Sequence, residues 1–109
     1  GKKAIDKSMS NLKEIIKITD EKNINLNIFY LYEPVLLLRK PNQIQFDYLI
    51  NSFKSLENKN VRVSFIKNIY EEYQNAYEAY KNLFFIKDIH WNKRGNAKVA
   101  KEILNKVNF

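Results

Sequence analysis

The chain has 109 residues, 45% of them apolar, a formal net charge of +7 and no cysteine. That length holds one modest core, and the apolar content excludes intrinsic disorder. Disulfide staples and thiolate metal sites are excluded outright, which leaves the compartment open.

No apolar run approaches the ~20 residues a membrane-spanning helix needs, and no signal-peptide pattern is present. The chain opens Gly1-Lys2-Lys3 without a methionine, which reads as a piece of something longer. Sixteen lysines against three arginines are scattered from Lys2 to Lys106. Together with abundant Asn, Ile, Tyr and Phe they read as a solvated surface written by an AT-rich coding sequence. A gathered patch for nucleic acid would look different, so no nucleic-acid partner is expected.

In chain order, Ile5, Met9, Leu12 and Ile16 recur at helical spacing, with Ala4 and Ile15 widening the stripe, and predict a helix over 5–19. Asn11 with Glu14 offers a capping box, or the helix begins earlier at Asp6 or Ser8. The run 20–23 ends it. Residues 24–32 read as a strand: Ile24, Leu26, Ile28, Tyr30 and Tyr32 alternate with Asn25 and Asn27, and Phe29 and Leu31 make its second half apolar on both faces. A strand of that kind belongs in a parallel sheet covered on two sides.

Pro34 stops that strand, and the run 35–38 reads as a packed loop or a short helical turn. Pro41-Asn42 introduces a helix over 43–56 with Phe46, Leu49, Ile50 and Phe53 on one stripe. Val61, Val63 and Phe65 alternate with Arg62 and Ser64 as a second strand, completing a βαβ unit with parallel strands.

A third helix is expected over 68–83, with Tyr73, Ala76, Tyr77 and Tyr80 inward. A row of tyrosines can line a pocket for sugars or bases, but an amphipathic helix with wet hydroxyl tips explains it more simply. After the apolar run Leu83, Phe84, Phe85, Ile86, a fourth helix over 96–107 buries Val99, Ala100, Ile103, Leu104 and Val107. No internal repeat or linker divides the chain, so residues 1–109 read as one α/β unit: two parallel strands with four helices.

The chemistry gathers in Asp88-Ile89-His90-Trp91-Asn92-Lys93-Arg94-Gly95-Asn96, which holds the chain's one histidine, its one tryptophan and one of its two glycines. An acid two residues before a histidine, on a loop that opens a helix, can orient an imidazole and stabilise its charged form. The imidazole then serves as a general base. The plainer alternative is a loop-to-helix junction in which Asp88 and Asn92 satisfy backbone groups and His90 is a hydrogen-bonding residue.

The pattern Asp-x-His-Trp-Asn-x-x-Gly, followed by Ala97, Val99, Ala100 and Ile103, resembles the last sequence block of the SGNH (GDSL-type) hydrolases and acyltransferases. That resemblance implies a partial three-layer, flavodoxin-like sheet and the C-terminal part of such a domain. It makes His90 the catalytic base and Asp88 its carboxylate, with Trp91 packed beside the imidazole. Asn92 would cap the last helix, and Gly95 in its first turn would allow a close approach. It further implies acyl-enzyme chemistry on acyl or acetyl esters, such as those of cell-envelope carbohydrate, and an extracytoplasmic setting.

The family's Gly-Asp-Ser block and its oxyanion glycine and asparagine are not visible. Ser8, Ser10, Ser52, Ser55 and Ser64 lack the context of a nucleophile, so the residues here are expected to be inactive by themselves. No cofactor is expected, and a single histidine among scattered acids gives no metal spacing. The competing expectation is a non-catalytic SGNH-like module that self-associates through an exposed sheet edge.

Overall fold

The computed structural model describes residues 1–32, 43–88 and 90–107. The first helix, α1, runs Lys2–Glu21 and so begins before the expected start at residue 5. Lys2, Lys3 and Ala4 are good helix formers, and nothing breaks the chain before Ile5. The suggested caps Asp6, Ser8 and Asn11 therefore lie inside the helix.

Its end is a Schellman motif. Asn23 takes φ 53, Ile24 N–H donates to the Thr19 carbonyl at 2.8 Å, and Asn23 N–H donates to Asp20 at 3.1 Å. Asparagine is one of the few residues that adopts this left-handed conformation at little cost. Ile24 is consequently a turn residue, 48% exposed, and not the first residue of a strand.

Strand β1 is Leu26–Leu31, α2 is Gln43–Lys54 and β2 is Val61–Ile66. The strands pair directly. Leu26 N–H donates to Asn60 O at one end and Tyr32 N–H to Ile66 O at the other, the same offset twice, as parallel strands require. Every residue of β1 is half-buried. The apolar second half, 29–31, is therefore covered alike on both faces but completely on neither.

In β2 the alternation expected through Phe65 breaks. Val61, Val63 and Ile66 are buried, while Ser64 and Phe65 are half-buried. The run 35–38 and the Pro41-Asn42 helix start lie outside the described residues.

The expected helix over 68–83 is two elements. A 3-10 turn, Asn68–Tyr70, is followed by a bend, and α3 spans Ala76–Leu83. The break has a local cause: the Asn75 side chain accepts from Glu78 N–H at 2.9 Å and starts a new helix there. Tyr77, expected inward, is 60% exposed, and Ala79 and Leu83 supply the buried face instead.

The last helix, α4, is Lys93–Lys106. It buries Val99 and half-buries Ile103 and Val107, whereas Ala100 and Leu104 are exposed. The helix offers a narrow i, i+4 edge to its neighbours and not the wider stripe read from the sequence.

The chain resolves into two clusters of contacts, residues 1–28 with 41–64, and 29–40 with 65–109. In the first, α1 packs on α2, Met9, Ile16, Leu56, Val61 and Val63 are buried, and the Tyr48 hydroxyl donates to the Asp6 carboxylate. In the second, Ile66, Ile69, Tyr70, Ala79, Leu83, Phe84 and Val99 form the core. The class is α/β, four α-helices and a two-stranded parallel sheet among the described residues. No helix of these residues is long and apolar enough to cross a membrane.

Candidate active site

The site is built on a short hairpin that joins α3 to α4. Asn92 N–H donates to Leu83 O at 2.8 Å and Phe85 N–H to His90 O at 3.1 Å, with Phe84 and Trp91 as an antiparallel bridge between them. Residues directly opposite in such a pair share a face, and successive residues alternate. Phe84 and Trp91 take the inner face. Their ring centroids are 4.1 Å apart, and the indole also stacks on Tyr70 at 5.9 Å.

His90 and its opposite residue Phe85 therefore take the outer face. The His90 side chain is 76% exposed and Phe85 is 56% exposed. The expected packing of Trp91 beside the imidazole is thus replaced by Trp91 on Phe84 and Tyr70. Alternation along the strand sends neighbouring side chains to opposite sides.

Asp88 is held from three directions. Its N–H donates to Phe85 O at 3.1 Å across a turn in which Lys87 takes φ 58. Its carbonyl accepts from the Tyr80 hydroxyl at 2.9 Å. Its carboxylate Oδ1 accepts from the His90 backbone N–H at 3.0 Å and faces His90 Nδ1 at 2.5 Å.

The same oxygen therefore grips the amide and the ring of one residue. The first contact is the local bond aspartate favours in turns; the second fixes the ring. A neutral imidazole facing a carboxylate this closely carries its proton on Nδ1, which leaves the Nε2 lone pair directed away from the acid. Both side chains are well exposed, 76% and 43%, so the pair contributes little to stability. Its consequence is orientation.

Immediately after the dyad, Asn92 ties the hairpin to α4. Its Oδ1 caps the helix by accepting from Gly95 N–H at 2.9 Å, and its Nδ2 donates to Asn82 O at 2.8 Å and Phe84 O at 3.4 Å. A Cβ at Gly95 would lie 2.2 Å from Leu83 O and 2.7 Å from Trp91 Cε3. Glycine is therefore required by the close approach of α4 to the hairpin. The expected capping and packing roles of Asn92 and Gly95 are both present.

Asn82 was not singled out by the sequence. Its Nδ2 donates to Glu78 O at 2.7 Å, and its Oδ1 accepts from Arg94 Nη1 at 3.0 Å. No local pattern signals it, since its partners lie 4 to 12 positions away. Beside it an open groove of about 740 Å³ is lined by Lys81, Asn82, Phe85, Asn92, Lys93, Arg94 and Ala97.

The five serines, Ser8, Ser10, Ser52, Ser55 and Ser64, all belong to the other cluster of contacts, and no serine is brought to His90 within its own cluster. Among the described residues no three His, Cys, Asp or Glu side chains group as a metal site would need.

Comparison of the chain with protein-family models, with curated proteins and with solved structures found no match.

Proposed function

We propose that these residues are the dyad-bearing, C-terminal part of an SGNH-type serine esterase or O-acyltransferase. It would act on acyl or acetyl esters of the kind carried by cell-envelope carbohydrate, and be inactive without a serine block supplied from elsewhere. The observation that carries the reading is the 2.5 Å approach of Asp88 Oδ1 to His90 Nδ1 on an exposed hairpin face. The rigid Asn92–Gly95 junction behind it lends further support.

In this reading Asp88 keeps the proton on Nδ1, and Nε2 takes the proton of a serine hydroxyl as that oxygen attacks the ester carbonyl. The alkoxide then leaves with the proton from Nε2. Water, deprotonated by the same nitrogen, or an acceptor hydroxyl, releases the acyl group.

The test is hydrolysis of p-nitrophenyl acetate by the full-length gene product. His90→Ala should lower kcat by about six orders of magnitude, and Asp88→Asn by about four. An unchanged rate for His90→Ala removes the assignment.

The second reading, a non-catalytic SGNH-like module that forms homo-oligomers, is favoured by one feature. The sheet has two strands, and neither is flanked on both sides among the described residues. Sedimentation equilibrium tests it: a monomer across the micromolar range removes it.

A further inference from the structure

We infer that the hairpin face bearing His90 continues into a binding groove for an anionic ligand with a short apolar chain. Resting on the proposed hydrolase reading, this makes the substrate an ester that carries a phosphate or carboxylate. Four observations converge.

First, the groove is roomy enough for a small ligand, about 740 Å³, within the range of small-molecule clefts. Second, its ionisable lining is of one sign. Lys81, Lys93 and Arg94 contribute three cations, and among the described residues no acid lines it.

Third, Arg94 is aimed and not loose. One guanidinium nitrogen donates to Asn82 Oδ1 at 3.0 Å, and Asn82 is itself fixed by its bond to Glu78 O at 2.7 Å. Asn82 occupies one of the five guanidinium donors, and a guanidinium already held in place loses less freedom on pairing with an oxyanion.

Fourth, the apolar wall is Phe85, 56% exposed, which with Ala97 lines the groove. Phe85 stands directly opposite His90 in the hairpin, bonded N–H to carbonyl at 3.1 Å. Opposite residues of an antiparallel pair keep their Cβ atoms about 5 Å apart on one face. His90 itself does not line the groove; a chain lying on Phe85 would run toward the hairpin strand that carries it, while its charged end lies among Lys81, Lys93 and Arg94. A large exposed aromatic beside three cations, with no acid among the described lining residues, fits an anionic amphiphile better than a neutral sugar.

The test uses amide chemical-shift titration of this chain with hexyl phosphate, inorganic phosphate and hexanol. Hexyl phosphate should shift the Phe85, Lys93, Arg94 and Ala97 amides saturably, and more tightly than inorganic phosphate, with hexanol showing no saturation. Lys93→Gln and Arg94→Gln should each weaken it by about tenfold, and Phe85→Ala should do so with the cations intact. Raising salt should weaken it further.

No saturable shift, or equal affinity for inorganic phosphate regardless of Phe85, overturns the groove. Neither result bears on the dyad, which stands or falls on the rate of the full-length product. Conversely, binding that survives alongside a His90-independent rate keeps the anionic site and removes the hydrolase reading.

Discussion

Replacing Gly95 by alanine isolates the junction on which the site is built. In an ordinary helix position the change would stabilise by up to about 1 kcal/mol, because alanine is the better helix former. Here the new methyl would sit 2.2 Å from the Leu83 carbonyl oxygen and 2.7 Å from Trp91 Cε3, well inside a contact distance of about 3.5 Å. The carbonyl belongs to a fully buried residue, 0% exposed, and already accepts from Asn92 N–H at 2.8 Å, so it has no room to withdraw.

Relief requires α4 to move off the hairpin. Overpacking of this kind costs about 1–3 kcal/mol, and stretching the Asn92 bond costs about 1 kcal/mol more. Against the helix-propensity gain, the net expectation is a loss of about 1–3 kcal/mol. In a domain of about this size, 1 kcal/mol corresponds to roughly 4–8 °C in Tm, so a thermal melt followed by circular dichroism reads the effect easily. The exposed neighbour supplies the control, since Asn96→Ala should hold or slightly raise Tm. If Gly95→Ala melts at or above the wild-type temperature, the close approach of α4 to the hairpin is wrong, and with it the placement of His90.

Asn92→Ala should cost about 2–3 kcal/mol in urea unfolding, because it removes a helix cap and two donated bonds. Asn92→Ser, which restores the acceptor alone, should recover about 1 kcal/mol; equal losses for both would refute the division. Burial pushes the Tyr70 hydroxyl well above the usual tyrosine range, and it donates to Tyr32 O at 2.7 Å. The folded state thus keeps a proton that the unfolded chain releases, so stability is intact below about pH 10 and falls as pH rises beyond it. Urea midpoints from pH 7 to 11 should show a shallower alkaline decline for Tyr70→Phe than for the wild type, and an identical slope would argue against it. Nitrogen-15 NMR of His90 should show the Nδ1–H tautomer dominant, and Asp88→Asn should abolish that bias; two evenly populated tautomers in the wild type would show that the carboxylate does not orient the ring.

Much of the site was legible because its signals are local. Asp88 and His90 lie two apart, which lets one carboxylate reach both the amide and the ring. An asparagine three residues before a glycine at a helix start announces a cap whatever the fold. The groove was not legible. Lys81 and Asn82 come from the end of α3, Phe85 from the hairpin, and Lys93, Arg94 and Ala97 from α4, and no periodicity links them. The third helix was overextended because Tyr73, Ala76, Tyr77 and Tyr80 keep helical spacing across a bend that Asn75 initiates.

The amino-acid sequence by itself determined the α/β class, the parallel pairing of a strand read over 24–32 with one read over 61–65, and the nearness of Asp88 to His90. Each follows from side-chain period, connection length or a bond between near neighbours, which the chain carries wherever it folds. Only tertiary structure decided that Leu83 and Phe84 go inward while Phe85 and Ile86 stay exposed, at 56% and 86%. The four form one continuous apolar run, and nothing in residue type divides them. The hairpin divides them: its bridge turns Phe84 onto Trp91, which stacks on Tyr70, and Phe85 to the opposite side with His90.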